Sequence, residues 1–215
     1  MKAQATFTAL LLAIAIGLFG QMNTADPIPH ARLQWIAHNG KELTEKDLLS
    51  VSKEVTPHDR KALVQFFAES TWPGKKSHGT ISQADADKIA AAERVKLIDL
   101  SGDGLPEVID QAIGEESGCS PTGNCPFSVL EKNSMSYRTI LGATGQVFDI
   151  EDTRSNSFQE IVIGMHGSAR ESELKVYQFR DGAYHRVGCY EANWSVLVNG
   201  ENQDVKEPVI TKCGR

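Results

Sequence analysis

With 215 residues and a formal net charge of -6, the chain has the size of one ordinary domain, or of a small domain with an appended helical segment, and not of two large independent ones. Its basic residues never run longer than the pair Lys75 and Lys76. This excludes a nucleic-acid backbone as the partner, because phosphate binding draws on clustered lysine and arginine.

Lys2 precedes an apolar run from Ala9 to Phe19, the length of a signal-peptide core and short of the ~20 residues that a membrane span needs. Residues 1–25 are therefore expected to direct export, with cleavage near Gly20 or Ala25 and no following cysteine to carry a lipid. The mature chain loses only Lys2 from its charge count, which takes the net charge to -7. It keeps no stable membrane span, and the expected destination is the periplasm or the medium.

Residues 26–93 are expected to form an N-terminal helical segment. Asp26 to His30, with two prolines, reads as an extended leader. Thr44 with Asp47, and Thr56 with Pro57 and Asp59, are helix-start signals. In the second helix Leu63, Phe66 and Phe67 recur at helical steps and make one apolar stripe, for which a sheet is the natural cover. Trp72 to Gly79 is a polar breaker, in which Trp72 beside two lysines is a candidate anchor for a partner. Ser82 with Asp85 then opens a short helix over Gln83 to Ala92.

From Val95 the period changes to that of strands. Eight runs of β-branched and aromatic residues alternate with turn residues as far as Tyr190. They fall into two sets of four: Asp99 to Val108 matches Asp152 to Ile161 at an offset of 53, and Val129 and Tyr137 match Val176 and Tyr184 at an offset of 47. Such self-similarity marks repeated supersecondary units. The predicted fold is α+β, a helical segment packed on two repeated four-stranded antiparallel β-meanders at about 94–141 and 146–190. Two units cannot close a propeller, which needs at least four blades, so a sandwich or pair of packed sheets is expected. Residues 191–215 should return as a C-terminal hairpin.

All four cysteines, Cys119, Cys125, Cys189 and Cys213, lie in the exported part, where an even count favours disulfides. Of three connectivities we expect Cys119 with Cys125 and Cys189 with Cys213. A four-thiolate zinc site would want CxxC knuckles, and none is present.

The stretch VKLIDLSGDGLPEVIDQ, Val95 to Gln111, places Asp99, Ser101, Asp103 and Glu107 between two strand-like runs, with Gly104 where an oxygen cage must bend. Such oxygen donors suit calcium. An EF-hand is disfavoured by Pro106, where the loop needs a backbone donor, by Asp110 in place of the bidentate glutamate, and by the β-branched run that follows. The plain alternative is a turn whose aspartates cap their own backbone.

The loop DLSGDGLPE resembles the calcium loops of FG-GAP and VCBS type repeats, which have the form Asp-x-Asp-Gly-Asp-Gly-x-x-Asp. The resemblance implies side-chain ligands from Asp99, Ser101, Asp103 and Glu107 and a fifth from the carbonyl of Leu105. Ser101 and Glu107 depart from the pattern and imply a weak site. In the second unit Arg154 stands at a ligand position and the turn glycine is missing, so that stretch should hold no metal, with Arg154 free to pair with Asp152 or Glu160.

No catalytic residue is assigned. The six histidines show no zinc spacing, and neither GxSxG nor HExxH occurs. The expected function is a non-catalytic exported module, ordered by calcium, that binds an envelope or extracellular macromolecule. Two alternatives are a small secreted hydrolase using His166 and Ser168, and an inhibitor of a secreted hydrolase that presents the rigid loop from Cys119 to Cys125.

Overall fold

The computed structural model describes residues 28–39, 47–70, 81–111, 118–134 and 136–214. The expected export signal, the start signal at Thr44 and the candidate anchor Trp72 lie outside these residues. In chain order the elements are α1 (His30–Asn39), β1 (Leu49–Ser50), α2 (Val51–Glu54), α3 (Pro57–Ser70), α4 (Gln83–Ala92), β2 (Arg94–Ile98), β3 (Glu107–Gln111), β4 (Cys125–Lys132), β5 (Tyr137–Gly145), β6 (Val147–Ser155), β7 (Phe158–Ser168), β8 (Glu171–Arg180), β9 (Ala183–Val198) and β10 (Glu201–Lys212). No described helix is long and apolar enough to cross a membrane.

The strands form two antiparallel sheets, β1-β2-β3-β4-β5 and β10-β9-β8-β7-β6. Each has five strands where four were expected. The eight expected strands are all present, and the additions come from the flanks. Leu49 and Ser50, read from sequence as helix, pair with Val95 and Arg94. Beyond them the β2 edge is met by a side chain, since Leu97 N–H donates to Glu54 at 3.2 Å, which blunts an open edge. At the other end β9 runs on to Val198, turns at Asn199 and Gly200, both at positive φ, and returns as β10.

The sheets lie face to face. Leu100, Ile109, Phe127 and Val129 of the first meet Phe148, Phe158, Ile161 and Phe179 of the second in one buried cluster, the inward half of each alternating pattern. Helices cover the outer faces. On the first sheet Leu63, Val64 and Phe67 of α3 and Ile89 of α4 pack on Val95, Val108 and Leu130. On the second, Leu33 and Ile36 of α1 pack on Val162, Leu174 and Tyr190. The layers therefore run helices, sheet, sheet, helix.

Positions matched by sequence do not face each other. Val108, Leu130 and Tyr137 point at the helices, whereas their counterparts Ile161, Tyr177 and Tyr184 point at the first sheet. The second sheet thus repeats the orientation of the first, and α2–α4 cover the first as the first covers the second. The step between sheets occurs at Gly145. A Cβ there would lie 2.4 Å from Ile163 Cγ2 and 2.6 Å from the Gly164 carbonyl, so only glycine allows this approach of β5 to β7.

Helix caps follow the sequence signals. Ser82 Oγ accepts from Asp85 N–H at 3.2 Å and donates to its carboxylate at 2.8 Å, a reciprocal cap. The stretch read as an extended leader is different: Ile28 is buried and His30 opens α1. Helix α1 is fixed by Arg32, which donates to Asp149 at 2.8 Å and Glu151 at 3.1 Å on β6.

Candidate functional site

The acidic loop spans the β2–β3 connection, and a strand follows it. Both glycines are at positive φ, +78° at Gly102 and +86° at Gly104, which lets their N–H groups turn inward. Asp99 receives them: its Oδ1 accepts from Gly102 N–H at 2.6 Å and from the Ser101 hydroxyl at 3.3 Å, and its Oδ2 accepts from Gly104 N–H at 3.0 Å. Desolvation acts to raise its pKa, but these donors outweigh it and hold the group below the usual aspartate range. Asp99 is therefore an ionised carboxylate at the centre of the turn.

Asp103 is exposed and accepts from Leu105 N–H at 2.8 Å, and Leu105 projects outward at 66% exposure. Glu107 is the opposite case, 3% exposed, and its Oε2 accepts from Leu100 N–H at 2.7 Å. Burial pushes its pKa up despite that bond. Glu107 braces the arch from inside while Asp103 stands outside. Among the described residues, the carboxylates of Asp99, Asp103 and Glu107 do not all gather within 4.8 Å of one another. The one acidic and sulfur group at metal-like spacing, Glu173 with Cys189 and Cys213, has its two sulfurs joined to each other.

Both expected disulfides are formed, Cys119–Cys125 and Cys189–Cys213, and no free cysteine remains.

The second stretch, Asp152 to Glu160, is no arch. β6 continues through it and closes on β7 by a two-residue turn at Asn156 and Ser157, both at positive φ. Arg154 is not paired with Asp152 or Glu160. Its Nη1 instead donates to the carbonyls of Leu100 at 3.0 Å and Ser101 at 3.1 Å, and to that of Ser157. Gln159 N–H also donates to Leu100 O at 2.9 Å. The first loop is thus clamped to the second sheet by a guanidinium at the position matching Ser101. Glu160 is satisfied by Thr153 at 3.0 Å and Gln178 at 2.8 Å.

His166 and Ser168 border the same cleft, but they are not hydrogen-bonded to each other. Ser168 Oγ instead accepts from Arg170 N–H at 3.3 Å and donates to Glu171 Oε2 at 3.4 Å.

Sequence reasoning missed a half-buried acid on β3. Asp110 Oδ1 is enclosed without a partner, and desolvation, with the neighbouring charge of Glu93, pushes its pKa up to about 8. β3 is covered on both faces, with Val108 and Ile109 both buried, so no alternation in its sequence marks residue 110 as enclosed. Compared with known protein families, curated proteins and solved structures, the chain gives no match.

Proposed function

We propose that the protein is an exported, non-catalytic binding module whose β2–β3 arch takes up calcium at low affinity and, so ordered, engages a macromolecule of the cell envelope or extracellular space. The observation that carries the reading is the ionised Asp99 at the centre of a glycine-bent loop. Ser101, Asp103 and the Leu105 carbonyl follow it on the loop, and Glu107 stands at its root. This is a set of hard oxygen donors of the kind calcium takes.

Binding in this reading draws Asp103 in from solvent and competes with hydrogen bonds that Asp99 and Glu107 already accept. That competition sets a weak site, with a Kd on the order of 0.1 to 1 mM, as in extracellular calcium modules. Export is supported by the N-terminal apolar run and by two disulfides. The exposed Leu105 on the loop's outer edge supports contact with a partner there.

A calcium titration followed by amide NMR tests the reading. Saturable shifts should centre on Gly102, Gly104 and Leu105 and vanish in Asp103→Ala. Shifts that are absent, or unchanged by that substitution, would leave a self-capped turn and remove calcium from the account.

A further inference from the structure

The second sheet carries, on β8 to β10, a group of metal-ligand side chains that shares no residue with the β2–β3 arch. Lys175 stands opposite Cys189 and Glu173 opposite Glu191. Residues two apart on a strand share a face, so these four side chains point the same way. Glu173, Cys189 and Cys213 are half-buried, and their ligand atoms all lie within 4.8 Å of one another. In the oxidised protein the two sulfurs are bonded to each other.

The geometry around that bond already suits a metal ion. Cys189 Sγ lies 3.6 Å from Glu173 Oε1. A disulfide sulfur has no proton to place in this contact, whereas a thiol has one. Tetrahedral zinc, with Zn–S of about 2.3 Å and Zn–O of about 2.1 Å, sets a sulfur and an oxygen ligand about 3.6 Å apart. Two thiolates on the same ion stand about 3.8 Å apart, so the change required is a parting of the sulfurs by side-chain rotation. The backbone holds the two cysteines together without their bond: Lys212 pairs with Tyr190, and Cys213 N–H donates to Cys189 O at 3.0 Å. Charge points the same way. Glu173 and Glu191 face each other as a like-charge pair, which a cation relieves. Lys175 Nζ is 3.2 Å from Glu173 Oε1. Two thiolates and this carboxylate beside one ammonium leave a deficit that a divalent ion balances.

We propose that Glu173, Cys189 and Cys213 form a redox-gated zinc site, closed in the oxidised protein and opened when a thiol reductant cleaves Cys189–Cys213. The reductant's thiolate attacks one sulfur and expels the other as a thiolate, and a second reductant thiol resolves the mixed disulfide. Two electrons thereby reach the cysteine pair, and the reductant leaves as its own disulfide. Zinc displaces the protons of the two thiols to solvent, and water completes an open three-ligand site. Exchange with an oxidised thiol runs these steps backwards and expels the ion. The proposal is independent of calcium at the β2–β3 arch.

The test reduces the protein with a phosphine under argon, removes the reductant and titrates cobalt(II) as an optical stand-in for zinc. Thiolate-to-cobalt charge-transfer absorption should rise to one ion per chain and disappear on adding zinc, and the oxidised protein should show none. Cys119→Ser with Cys125→Ser should keep the absorption, and Cys189→Ser with Cys213→Ser should lose it. Glu173→Gln should weaken zinc at least tenfold while its amide spectrum stays dispersed. In the native chain, zinc should slow alkylation of reduced Cys189 and Cys213 by iodoacetamide at least tenfold more than that of Cys119 and Cys125, read by peptide mass spectrometry. The site is refuted if the reduced protein takes up no cobalt, if zinc protects the two cysteine pairs alike, or if reduction alone collapses the amide dispersion. Undiminished zinc binding by Glu173→Gln would refute the carboxylate ligand.

Discussion

Replacing Asp110 by asparagine removes one ionisation and almost no volume, and its effect on stability can be worked out from the site. The usual aspartate value of 3.8 is raised to about 8 by burial and by Glu93. Between those values the folded chain holds a proton that the unfolded chain has released, so stability falls as pH rises through the window. It is level below pH ~4 and again above the folded value of about 8. Each pH unit of displacement is worth ~1.4 kcal/mol. At pH 7 the displacement already crossed is about three units, an upper bound of ~4 kcal/mol, and relaxation around the carboxyl lowers the expected difference to ~2 to 4 kcal/mol. Asp110→Asn should therefore unfold at higher urea than the native protein at pH 7.5, and the gap should close by pH 4. Urea unfolding of both proteins at pH 4, 6, 7.5 and 9 reads this directly, since titrations of groups not coupled to Asp110 cancel in the difference. A variant that is less stable than the native protein at pH 7.5 would show a partnered, ionised carboxylate and refute the reasoning.

The two disulfides should differ in worth. Loop closure over 24 residues by Cys189–Cys213 predicts ~3.5 kcal/mol against ~2.2 for the 6-residue separation of Cys119–Cys125, so denaturation of the two double-serine variants should rank them in that order. Arg154→Met removes the donor to Leu100 and Ser101 and should cost ~1 to 2 kcal/mol, with faster amide exchange at Gly102 and Gly104. Gly102→Ala should cost more than Gly104→Ala by thermal unfolding, because its Cβ would stand 3.3 Å from the Arg154 guanidinium while that of Gly104 meets nothing; equal losses would deny the clamp. Arg32→Met leaves Asp149 and Glu151 side by side without their cation and should cost ~3 to 5 kcal/mol at pH 7, less at low pH, where Asp149, whose pKa burial raises, takes up a proton.

The strands were legible because short runs of β-branched and aromatic residues set between turn residues mark strands, and eight such runs lie between Val95 and Tyr190. The disulfides were legible because a chain expected to be exported, with four cysteines and no metal knuckle, leaves few choices. What failed did so where a contact is made far along the chain. Leu49 and Ser50 carry no strand pattern of their own and become β1 only because the β2 edge is there to pair with. Helix α1 has two buried residues, Leu33 and Ile36, too few to show a stripe beside the proline-rich leader. Arg154 was expected to answer to acids on its own segment, but the tight turn at Asn156 keeps β6 extended and carries its guanidinium to the loop of the other sheet. The acidic loop was legible as a glycine-bent turn. That Glu107 would be buried inside it and Asp103 exposed outside depends on the second sheet lying against it.

The central claim is that the β2–β3 arch takes up calcium, and thermal unfolding of the oxidised mature protein tests it most directly. At 100 times the Kd the ion should add ~2.7 kcal/mol by mass action, raising the melting temperature over that in chelator, while Asp103→Ala melts alike in both. Identical melting of the native protein in calcium and in chelator would contradict the account.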